Sequence, residues 1–361
     1  MAQNVFIIGA TGGVGSTLVN QFYDKQDTNP QKHVNPTRVV GLARNSWFYY
    51  DPEGISAREA DRFVRGKIGA EFYNLECLAH FPKDDEPVSF VDVTSLGQEM
   101  LSFHTEVIDR TPHNIVTANK TPLVLCDYAT FGRLTSRPKR YGHRCSVMAG
   151  AEAVDFIRDL KDLGDPLIEI VSCLSGTLGY DTSGLEDGKK HSEIVREAFG
   201  LGYTESHPRE DLSGYDVARK IFILVRDAGY DVPFDSINLR PFVPKRYLNE
   251  KDPQVFMKRI EELDDYFASK VSKAANQGKV LRYVARFRLI GGKPRIDVGL
   301  TAVQKDSPLG NLKGTYNKLI IRSGNYNSKP YITQAPGAGR EITAQNIRRD
   351  LLGQLEDRVV S

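Results

Sequence analysis

The chain opens with a short apolar run that leads into a glycine-rich loop and then into a helical pattern. Residues 4–8 read NVFII, and residues 9–15 read GATGGVG. Such a loop between a buried strand and a helix lets the backbone approach a pyrophosphate, which the amides at the helix N-terminus can bind. The sequence predicts a dinucleotide site, with a purely structural turn as the alternative. Its candidate residues are Gly9, Thr11, Gly12, Gly13, Val14 and Gly15.

Strand-like and helical segments alternate along the first 150 residues. Further apolar strands are predicted at residues 38–43, 88–94 and 113–119. This alternation is typical of a doubly wound parallel sheet. We predict an α/β fold with a Rossmann-type nucleotide domain over residues 1–150. The segment CSVMAG (145–150) is expected to be a strand, with a helix beginning near Glu152.

The second half of the chain shows a different pattern. In residues 281–289, apolar residues alternate with mostly basic ones, and a turn at Gly291-Gly292-Lys293-Pro294 follows. Alternation of this kind is typical of an antiparallel sheet with one solvated face. We predict an α+β domain with a largely antiparallel sheet over residues 151–335. Its other strands are expected at 295–303 and 316–322, and helices at 192–199, 216–227, 253–274 and from about Ala344 onward.

The end of the second predicted strand bears on the choice of coenzyme. It reads Ala43-Arg44-Asn45-Ser46. Dinucleotide-binding folds that use NAD carry an acidic residue here for the ribose 2′-hydroxyl, whereas an arginine suits a 2′-phosphate. Arg44 therefore predicts that NADP(H) is preferred, with NAD(H) as a second coenzyme. A solvated surface arginine is the alternative.

Several acids precede a single lysine in residues 202–220, which read GYTESHPREDLSGYDVARK. Lys220 is followed directly by the apolar stretch IFILV of a predicted helix. Asp216 lies four residues earlier, so the two side chains share one helix face. An amine at the edge of an apolar helix and facing carboxylates indicates a group placed for chemistry. The alternatives are a surface salt bridge and a capping box formed by Ser213 and Asp216.

A second lysine, Lys120, closes the predicted strand that ends in VTANK (116–120). Open α/β sheets bind their ligands at the carboxyl ends of the strands. Lys120 is therefore a further candidate for the site. An ordinary strand-end lysine is the alternative.

The bulk composition argues against several classes of protein. A net charge of +2 without a block of like charges gives no reason to expect a nucleic-acid partner. No apolar stretch approaches the roughly 18 residues of a membrane helix, and no charged leader precedes the first strand. The cysteines form no CxxC pair, so we predict no metal site and free thiols in a cytoplasmic protein. They are Cys77, Cys126, Cys145 and Cys173.

The run at 202–220 resembles the signature of homoserine dehydrogenases, GYTEPDPRDDLSGxDVARK. The resemblance covers essentially the whole chain and is closest to fungal enzymes and to the dehydrogenase part of bacterial aspartokinase fusions. It is carried further by CLSGTLGYDTSGLEDGKKHSEIV (173–195), VDVTS (91–95), VTANK (116–120), ELDDYFASKVSKAANQGKVLRYV (262–284) and PGAGREITA (336–344).

This resemblance implies NAD(P)H-dependent interconversion of L-aspartate 4-semialdehyde and L-homoserine, in threonine, methionine and isoleucine biosynthesis. It also implies a catalytic and dimerisation role for residues 151–335, with a homodimer formed through their sheet. Residues 336–361 are expected to return to the nucleotide domain.

The resemblance also assigns roles to individual residues. Lys220 matches the lysine that exchanges a proton with the substrate oxygen, and Lys120 matches the second active-site lysine. Glu205 and Asp216 match acids that hold the substrate ammonium. The other substrate-side positions are Asp211, Gly176, Thr177 and Tyr203, and the further cofactor-side positions are Thr94, Ser95, Lys120 and Gly339.

Three departures from the family pattern stand out. The glycine loop reads GxxGxxG, one residue longer than GxGxxG, and His207 and Glu210 replace aspartates of the signature. Members of the family often bind a monovalent cation through a glutamate three residues before a VxAG segment. Residues 147–150 supply that segment, but Arg144 stands at the glutamate position. We therefore predict that the sodium site is absent.

Two other functions remain as alternatives. The GATGGVG loop also resembles that of aspartate-semialdehyde dehydrogenase, which needs a cysteine nucleophile. None of the four cysteines lies in that family's motif, and Lys220 would have no role. A catalytically lapsed NADP-binding sensor would have no reason to keep Glu205, Asp216 and both lysines together.

Overall fold

The computed structural model describes residues 2–33, 36–45, 47–68, 71–72, 74–81 and 86–355, except for the side chains of Phe72 and Cys77. The chain forms two compact units. The first comprises Met1–Ala151 and Ala338–Ser361, and the second comprises Glu152–Gly337. No helix in the described ranges is long and apolar enough to cross a membrane.

The first unit contains a mixed sheet with short helices between its strands. Its strands are β1 (Gln3–Ile8), β2 (Thr37–Arg44), β3 (Trp47–Tyr50), β4 (Glu71–Phe72), β5 (Val88–Asp92), β6 (Asn114–Thr117) and β7 (Tyr141–Gly142). Its helices up to the unit boundary are α1 (Gly13–Asp24), α2 (Ala57–Val64), α3 (Leu75–Ala79), α4 (Gln98–Arg110), α5 (Thr121–Leu125) and α6 (Tyr128–Thr135).

These strands lie in the order β4-β3-β2-β1-β5-β6-β7. The pairs β1–β2, β1–β5, β5–β6 and β6–β7 are parallel, which confirms the predicted Rossmann-type arrangement. Strands β3 and β4 extend one edge in the antiparallel sense, which the alternation of strands and helices did not predict. Every residue of β1 and β5 is buried, as expected of strands covered on both faces.

The prediction of a strand at CSVMAG is wrong. Two 3₁₀ turns, Arg144–Ser146 and Met148–Gly150, occupy this segment, and residues 148, 149 and 150 have positive φ angles of 53°, 51° and 89°. Asn346 explains the difference, because its Nδ2 donates to Ala149 O at 2.9 Å and its side chain packs against Gly150. This distant contact overrides the local preference for an extended chain.

The second unit combines a largely antiparallel sheet with helices. Its strands are β8 (Leu167–Cys173), β9 (Asn238–Leu239), β10 (Lys279–Ile290), β11 (Lys293–Gln304), β12 (Tyr316–Ser323) and β13 (Tyr331–Pro336). Its helices are α7 (Val154–Asp162), α8 (Gly176–Glu186), α9 (His191–Gly200), α10 (Arg209–Leu212), α11 (Tyr215–Asp227), α12 (Lys245–Leu248), α13 (Pro253–Arg259) and α14 (Asp264–Ala275).

This second sheet has the order β13-β12-β8-β10-β11-β9, and all its pairs are antiparallel except β11–β9. The predicted fold class is therefore confirmed for this unit as well. β10 and β11 form a hairpin whose turn residues Gly291 and Gly292 have φ angles of 57° and 76°. Positive φ at both positions is what a two-residue hairpin turn of type I′ requires.

The predicted helix at 253–274 is divided into α13 and α14 by a 3₁₀ turn at Ile260–Leu263. Ile260 and Leu263 are both buried, and side chains three residues apart eclipse each other in a 3₁₀ helix. The carboxylate of Asp264 accepts the backbone N–H and the hydroxyl of Ser192, each at 2.8 Å. These tertiary contacts account for the break.

The last helix, α15 (Arg340–Gly353), belongs to the first unit and starts four residues before the predicted position. It packs against α1. Ala344, Ile347 and Leu351 join a buried apolar cluster with Leu18 and Phe22. The last part of the predicted terminal helix, residues 356–361, lies outside the described residues.

Candidate active site

The glycine loop makes a tight turn at the carboxyl end of β1. The backbone N–H groups of Gly9 and Ala10 both donate to Ala43 O, at 3.0 and 2.9 Å. Gly9 has a φ of 93°, which favours glycine. A Cβ at Gly15 would lie 2.2 Å from Gly9 O, so the loop and the first turn of α1 fit together only without a side chain there.

Helix α1 starts at the end of this loop, with Gly12 as its N-cap and no side-chain cap hydrogen bond. Thr11 and Gly12 are exposed, while Gly13 and Val14 are partly buried. The N-terminus of a helix binds anions through unpaired amides and the positive end of the dipole. The residues present here fit the phosphates of a dinucleotide.

Arg44 is the last residue of β2, as the sequence predicted. Its guanidinium carbon lies 5.2 Å from the centre of the Phe63 ring, an arrangement that holds the side chain over α2. A Cβ on Gly66 would lie only 2.7 Å from Arg44 Nη1. Ser46, the last residue of the predicted strand end, lies outside the described residues.

The ends of β5 and β6 are joined by hydrogen bonds around Asp92, which is fully buried. Asp92 Oδ1 accepts from the backbone N–H and the hydroxyl of Thr94, at 2.9 and 2.7 Å, and Oδ2 accepts from Thr117 Oγ1 at 3.2 Å. Asn119 Nδ2 donates to Leu96 O at 2.8 Å. Thr94 and the segment before Lys120 are thereby fixed to each other.

The predicted site residues next to this network lie close to the surface of the first unit. Ser95 is exposed, and Lys120 is half-buried at the N-terminal end of α5. Gly339 is exposed and is the N-cap of α15, with a φ of 137°.

Lys220 lies in the first half of α11 and its side chain is only 9% exposed. Its Nζ donates to Leu174 O at 2.7 Å and lies 2.9 Å from Asp216 Oδ2. Leu174 follows the last residue of β8. The ammonium is therefore held in place by a carboxylate on its own helix and by a carbonyl at the end of the central strand.

The capping box that the sequence offered as an alternative is absent. The N-cap of α11 is Gly214, with a φ of 75°, and no side chain caps the helix. The Ser213 hydroxyl accepts from Tyr215 N–H at 3.2 Å and donates to Glu210 O at 2.5 Å. A Cβ at Gly214 would lie 1.9 Å from the Tyr283 hydroxyl, so the fit to β10 requires glycine at the N-cap.

Asp211 lies between the other predicted substrate-side residues of the second unit. Its Oδ2 accepts from Glu205 N–H at 2.8 Å, and its Oδ1 lies 3.0 Å from the Thr177 hydroxyl. The same hydroxyl lies 2.6 Å from Tyr203 O. The single proton of the Thr177 hydroxyl is thus within donating distance of both Tyr203 O and Asp211 Oδ1.

The pKa of Asp211 is raised to about 6, mainly by burial and also by the nearby carboxylates of Glu205 and Asp216, against the hydrogen bonds from Glu205 N–H and Thr177 that lower it. The structure thus brings Glu205, Asp211 and Asp216 into one electrostatic group. Glu205 is exposed and Asp216 is 45% exposed, so these two carboxylates are accessible to a cationic ligand.

Helix α8 is fixed by close contacts with the β11–β12 loop (305–315). A Cβ on Gly176 would lie 3.1 Å from Thr315 O, and one on Gly179 would lie 2.7 Å from Gly314 O. Ser183 Oγ accepts from Gly314 N–H at 3.0 Å. Small residues along one face of the helix therefore set the position of Gly176 and Thr177.

Two buried cations hold that loop in turn. Arg282 donates to Leu309 O at 3.1 Å and to Gly310 O at 2.6 Å, and it pairs with Glu186 of α8 at 2.7 Å. Lys318 Nζ donates to Pro308 O at 2.6 Å. The loop and α8 are thus connected to the sheet through the same arginine.

Comparison with known proteins places the chain in a family. A family model described as homoserine dehydrogenase matches residues 154–352, more than half of the chain. The chain belongs to the homoserine dehydrogenase family. Within this family of oxidoreductases, Lys220 lies in the matched region and Lys120 precedes it.

One relative of this homoserine dehydrogenase-family chain is the bifunctional aspartokinase/homoserine dehydrogenase of Buchnera aphidicola, 31% identical over 356 residues. The match covers 98% of this chain and 43% of the Buchnera protein. The chain spans about two fifths of the length of the curated relatives it matches.

Two solved structures have the same fold. A Candida auris protein of unknown function is 30% identical, with a TM-score of 0.86 and 98% coverage of both chains. A hyperthermophilic archaeal homoserine dehydrogenase in complex with NADPH is 22% identical, with a TM-score of 0.73 and coverage of 99% of this chain and 98% of that one. At that identity the second comparison shows the fold alone.

The segment where homoserine dehydrogenases often bind a cation has other partners in this chain. Arg144 Nε donates to Asp350 Oδ1 at 2.7 Å, and its backbone N–H donates to Oδ2 at 3.2 Å. Val147 O accepts from Gly150 N–H at 3.1 Å. Ala149 O accepts from Asn346, as described above. Elsewhere in the described ranges, no group of three or more His, Cys, Asp or Glu side chains could hold a metal ion.

The sequence interpretation missed two polar residues of this homoserine dehydrogenase-family chain. Asp92 organises the ends of β5 and β6, and an aspartate closing an apolar strand was a signal for it. Arg340 lies against Gly13 of the glycine loop. The helix was predicted to begin only near Ala344, so no signal in the sequence placed Arg340 at its start.

Proposed function

We propose that this chain catalyses the NADP(H)-dependent interconversion of L-aspartate 4-semialdehyde and L-homoserine. The observation that carries the proposal is the setting of Lys220, whose ammonium is buried and held by Asp216 and Leu174 O. This lysine lies in a run that resembles the homoserine dehydrogenase signature, in a chain that belongs to the family.

Bound NADPH would supply the hydride to the aldehyde carbon. Lys220 donates a proton to the aldehyde oxygen as negative charge develops there, and it removes that proton in the oxidation of homoserine. General acid help of this kind typically contributes about 10² to 10⁴ in rate. Lys120 is the second active-site lysine in this proposal, as the resemblance to homoserine dehydrogenases implies.

The substrate ammonium binds to the carboxylates of Glu205 and Asp216. Both are accessible, and a carboxylate has lone pairs for more than one ammonium donor. Asp211 orders the Glu205 backbone and the Thr177 hydroxyl, while Gly176 and Tyr203 complete the substrate side. In this assignment Glu205 and Asp216 bind the substrate ammonium, whereas Asp211 positions neighbouring groups.

The cofactor binds to the first unit in this proposal. The loop from Gly9 to Gly15 and the N-terminus of α1 hold the pyrophosphate, and Arg44 selects the 2′-phosphate of NADP(H). Thr94, Ser95, Lys120 and Gly339 line the remainder of the cofactor site. NAD(H) serves as the less favoured coenzyme because it lacks the group that Arg44 binds.

We assign residues 1–150 to NAD(P) binding, residues 151–335 to catalysis and dimerisation, and residues 336–361 to a segment that completes the nucleotide domain. The two compact units, with boundaries at 151/152 and 337/338, support this division. The homodimer, the cytoplasmic location and the absence of nucleic-acid and membrane partners stay predictions from the sequence.

We also propose that catalysis needs no monovalent cation. The Arg144 guanidinium pairs with Asp350, and the carbonyls of Val147 and Ala149 already accept hydrogen bonds. A positive group in place of a ligating glutamate repels a cation. The residues present do not fit the sodium site of the family.

The direct test follows the oxidation of NADPH and NADH by the purified chain with L-aspartate 4-semialdehyde as substrate. We expect turnover with both coenzymes, a higher kcat/KM with NADPH, and L-homoserine as the product. Coenzyme binding without turnover would overturn the proposal and favour the sensor.

Thiol alkylation separates the lysine mechanism from a cysteine-dependent semialdehyde dehydrogenase. Cys126, Cys145 and Cys173 are buried, and burial raises the pKa of the Cys173 thiol to about 12, which makes it a poor nucleophile. We expect full activity after alkylation, without any requirement for phosphate. Inactivation that substrate prevents would favour the cysteine mechanism.

A further inference from the structure

Arg340 lies directly on the glycine loop. A Cβ built on Gly13 would come within 2.6 Å of Arg340 Nε and within 2.9 Å of Cζ. The arginine side chain therefore occupies the space that any side chain at position 13 would need. Residues 13 and 340 begin α1 and α15, two helices that pack against each other in the first unit.

The electrostatic setting of Arg340 is unusual for an arginine. It is the first residue of α15 and also lies against the first residue of α1, so its positive charge is beside the positive ends of two helix dipoles. Cations are destabilising at such positions, and anions are stabilising. An anion bound beside Arg340 would offset the repulsion between the guanidinium and the positive ends of the two helices.

No carboxylate among the described residues neutralises Arg340. The side chain is exposed and makes no ion pair there, whereas Arg348 on the same helix pairs with both oxygens of Asp27, at 2.5 and 2.6 Å. The first turn of α15 does contain Glu341, but its Oε2 accepts from Gln21 Nε2 at 2.8 Å. The guanidinium donors of Arg340 are therefore available to a ligand.

The unusual glycine loop fits this arrangement. The loop has one residue more than GxGxxG between its first two glycines, and Gly13 follows Gly12 directly. Because Gly13 has no side chain, the Arg340 guanidinium lies directly against the first turn of α1. Gly13 and Arg340 are therefore in contact, although they are far apart in the sequence.

We propose that Arg340 binds the pyrophosphate of the dinucleotide. This inference rests on the proposed nucleotide site of the first unit. A guanidinium binds phosphate oxygens with two parallel hydrogen bonds, and the loop amides approach the same group from the helix end. Arg340 thus serves both coenzymes alike, whereas Arg44 recognises the 2′-phosphate that only NADP(H) carries.

The test compares coenzyme binding to Arg340→Gln with binding to the wild type, by fluorescence titration without substrate. We expect the Kd values of NADH and NADPH to rise together by about tenfold, since a charge-assisted contact to the pyrophosphate is lost with both coenzymes. The Kd of ADP-ribose, which has the pyrophosphate but no nicotinamide, should rise equally. Arg340→Lys should restore part of the affinity.

Arg110→Gln is the matched control, because Arg110 is an exposed arginine of the same unit that lies on α4. It should leave all three Kd values unchanged. Gly13→Ala, which displaces the guanidinium, should weaken binding in the same pattern as Arg340→Gln. Unchanged Kd values in Arg340→Gln, or a loss confined to NADPH, would overturn the inference.

These measurements separate the inference from the proposed function. If the wild type binds both coenzymes but does not reduce L-aspartate 4-semialdehyde, the proposed reaction fails while the role of Arg340 is still decided by the Kd values. If the wild type turns over substrate and Arg340→Gln binds both coenzymes normally, the reaction stands and the inference fails.

Discussion

The Lys220 ammonium lies 2.9 Å from Asp216 Oδ2, one helical turn earlier on α11. The two partners differ in exposure, because the lysine side chain is 9% exposed and the aspartate side chain is 45% exposed. A pair on a solvated helix surface would contribute only a few tenths of a kcal/mol. Here the Asp216 carboxylate contacts the buried Lys220 amine and is itself exposed to solvent, so a substrate can reach the carboxylate.

Replacement of Lys220 should abolish turnover without affecting coenzyme binding. We expect Lys220→Ala to lower kcat by about 10² to 10⁴, because the proton donor is lost. The NADPH Kd, measured by fluorescence, should stay within twofold. Arg219→Ala is the control, since Arg219 is the exposed neighbour on the same helix. Near wild-type kcat in Lys220→Ala would remove this lysine from the mechanism.

The buried carboxyl of Asp211 should make stability depend on pH. Its folded pKa of about 6 is above the ordinary value of 3.8, so its contribution to stability is complete below about pH 4 and is lost as the pH rises through 6. Asp211→Asn, which resembles the protonated form, should therefore be more stable than the wild type at pH 8, by about 1–2 kcal/mol. At pH 4 the difference should vanish.

Thermal unfolding of both proteins between pH 4 and pH 8 checks this prediction. The Tm of Asp211→Asn should exceed that of the wild type increasingly as the pH rises. A Tm difference that is the same at every pH would contradict the raised pKa of Asp211. Asp306→Asn, at an exposed aspartate in the β11–β12 loop, serves as the control.

A methyl group on α8 should weaken the binding of substrate but not of coenzyme. In Gly179→Ala the new Cβ would lie 2.7 Å from Gly314 O, and the backbone of either segment must move. Thr177 and Asp211 would then separate. We expect the KM for L-homoserine to rise by about tenfold, consistent with the loss of roughly 1.4 kcal/mol of binding, at an unchanged KM for NADP.

Gly200→Ala is the matched control for this change, because nothing lies within 4 Å of its Cβ position at the end of α9. It should leave both KM values unchanged. Ser183→Ala, which removes the acceptor for Gly314 N–H and a hydrogen bond to Gly179 O without adding a Cβ that would clash, should give a smaller rise in the KM for L-homoserine. Equal losses for substrate and coenzyme in Gly179→Ala would indicate general disruption instead.

Arg44 should control the coenzyme preference. Arg44→Ala removes the guanidinium that we assign to the 2′-phosphate, so kcat/KM for NADPH should fall while that for NADH stays nearly constant. A charge-assisted hydrogen bond contributes about 1.5–3 kcal/mol, which corresponds to a change of at least about tenfold in the NADPH:NADH ratio. An unchanged ratio would exclude Arg44 from the cofactor site.

Activity should not depend on the monovalent cation. We expect equal kcat values in sodium, potassium and a large organic cation at the same ionic strength, because Arg144 and Asp350 are paired where a cation would bind. A severalfold activation by one small cation would contradict this prediction. Choline chloride is a suitable salt for the comparison, since choline is too large for such a site.

Local sequence patterns determined much of the fold because they depend only on neighbours along the chain. The strand, glycine loop and helix at 4–22, the hairpin at Gly291-Gly292 and the four-residue spacing of Asp216 and Lys220 belong to this class. The resemblance to homoserine dehydrogenases added the expected roles of the site residues, which neither spacing nor composition could supply.

Contacts between residues far apart in the sequence decided the rest. Asn346 turns the apolar segment 145–150 away from a strand, and the Tyr283 hydroxyl leaves no room for a side chain at Gly214, the N-cap of α11. Burial among distant elements gives Asp211 its raised pKa, and the packing of α15 on α1 brings Arg340 to Gly13. The sequence predicted the residues of the candidate site, while tertiary packing set their burial, partners and electrostatic surroundings, because those quantities depend on every element that surrounds a side chain.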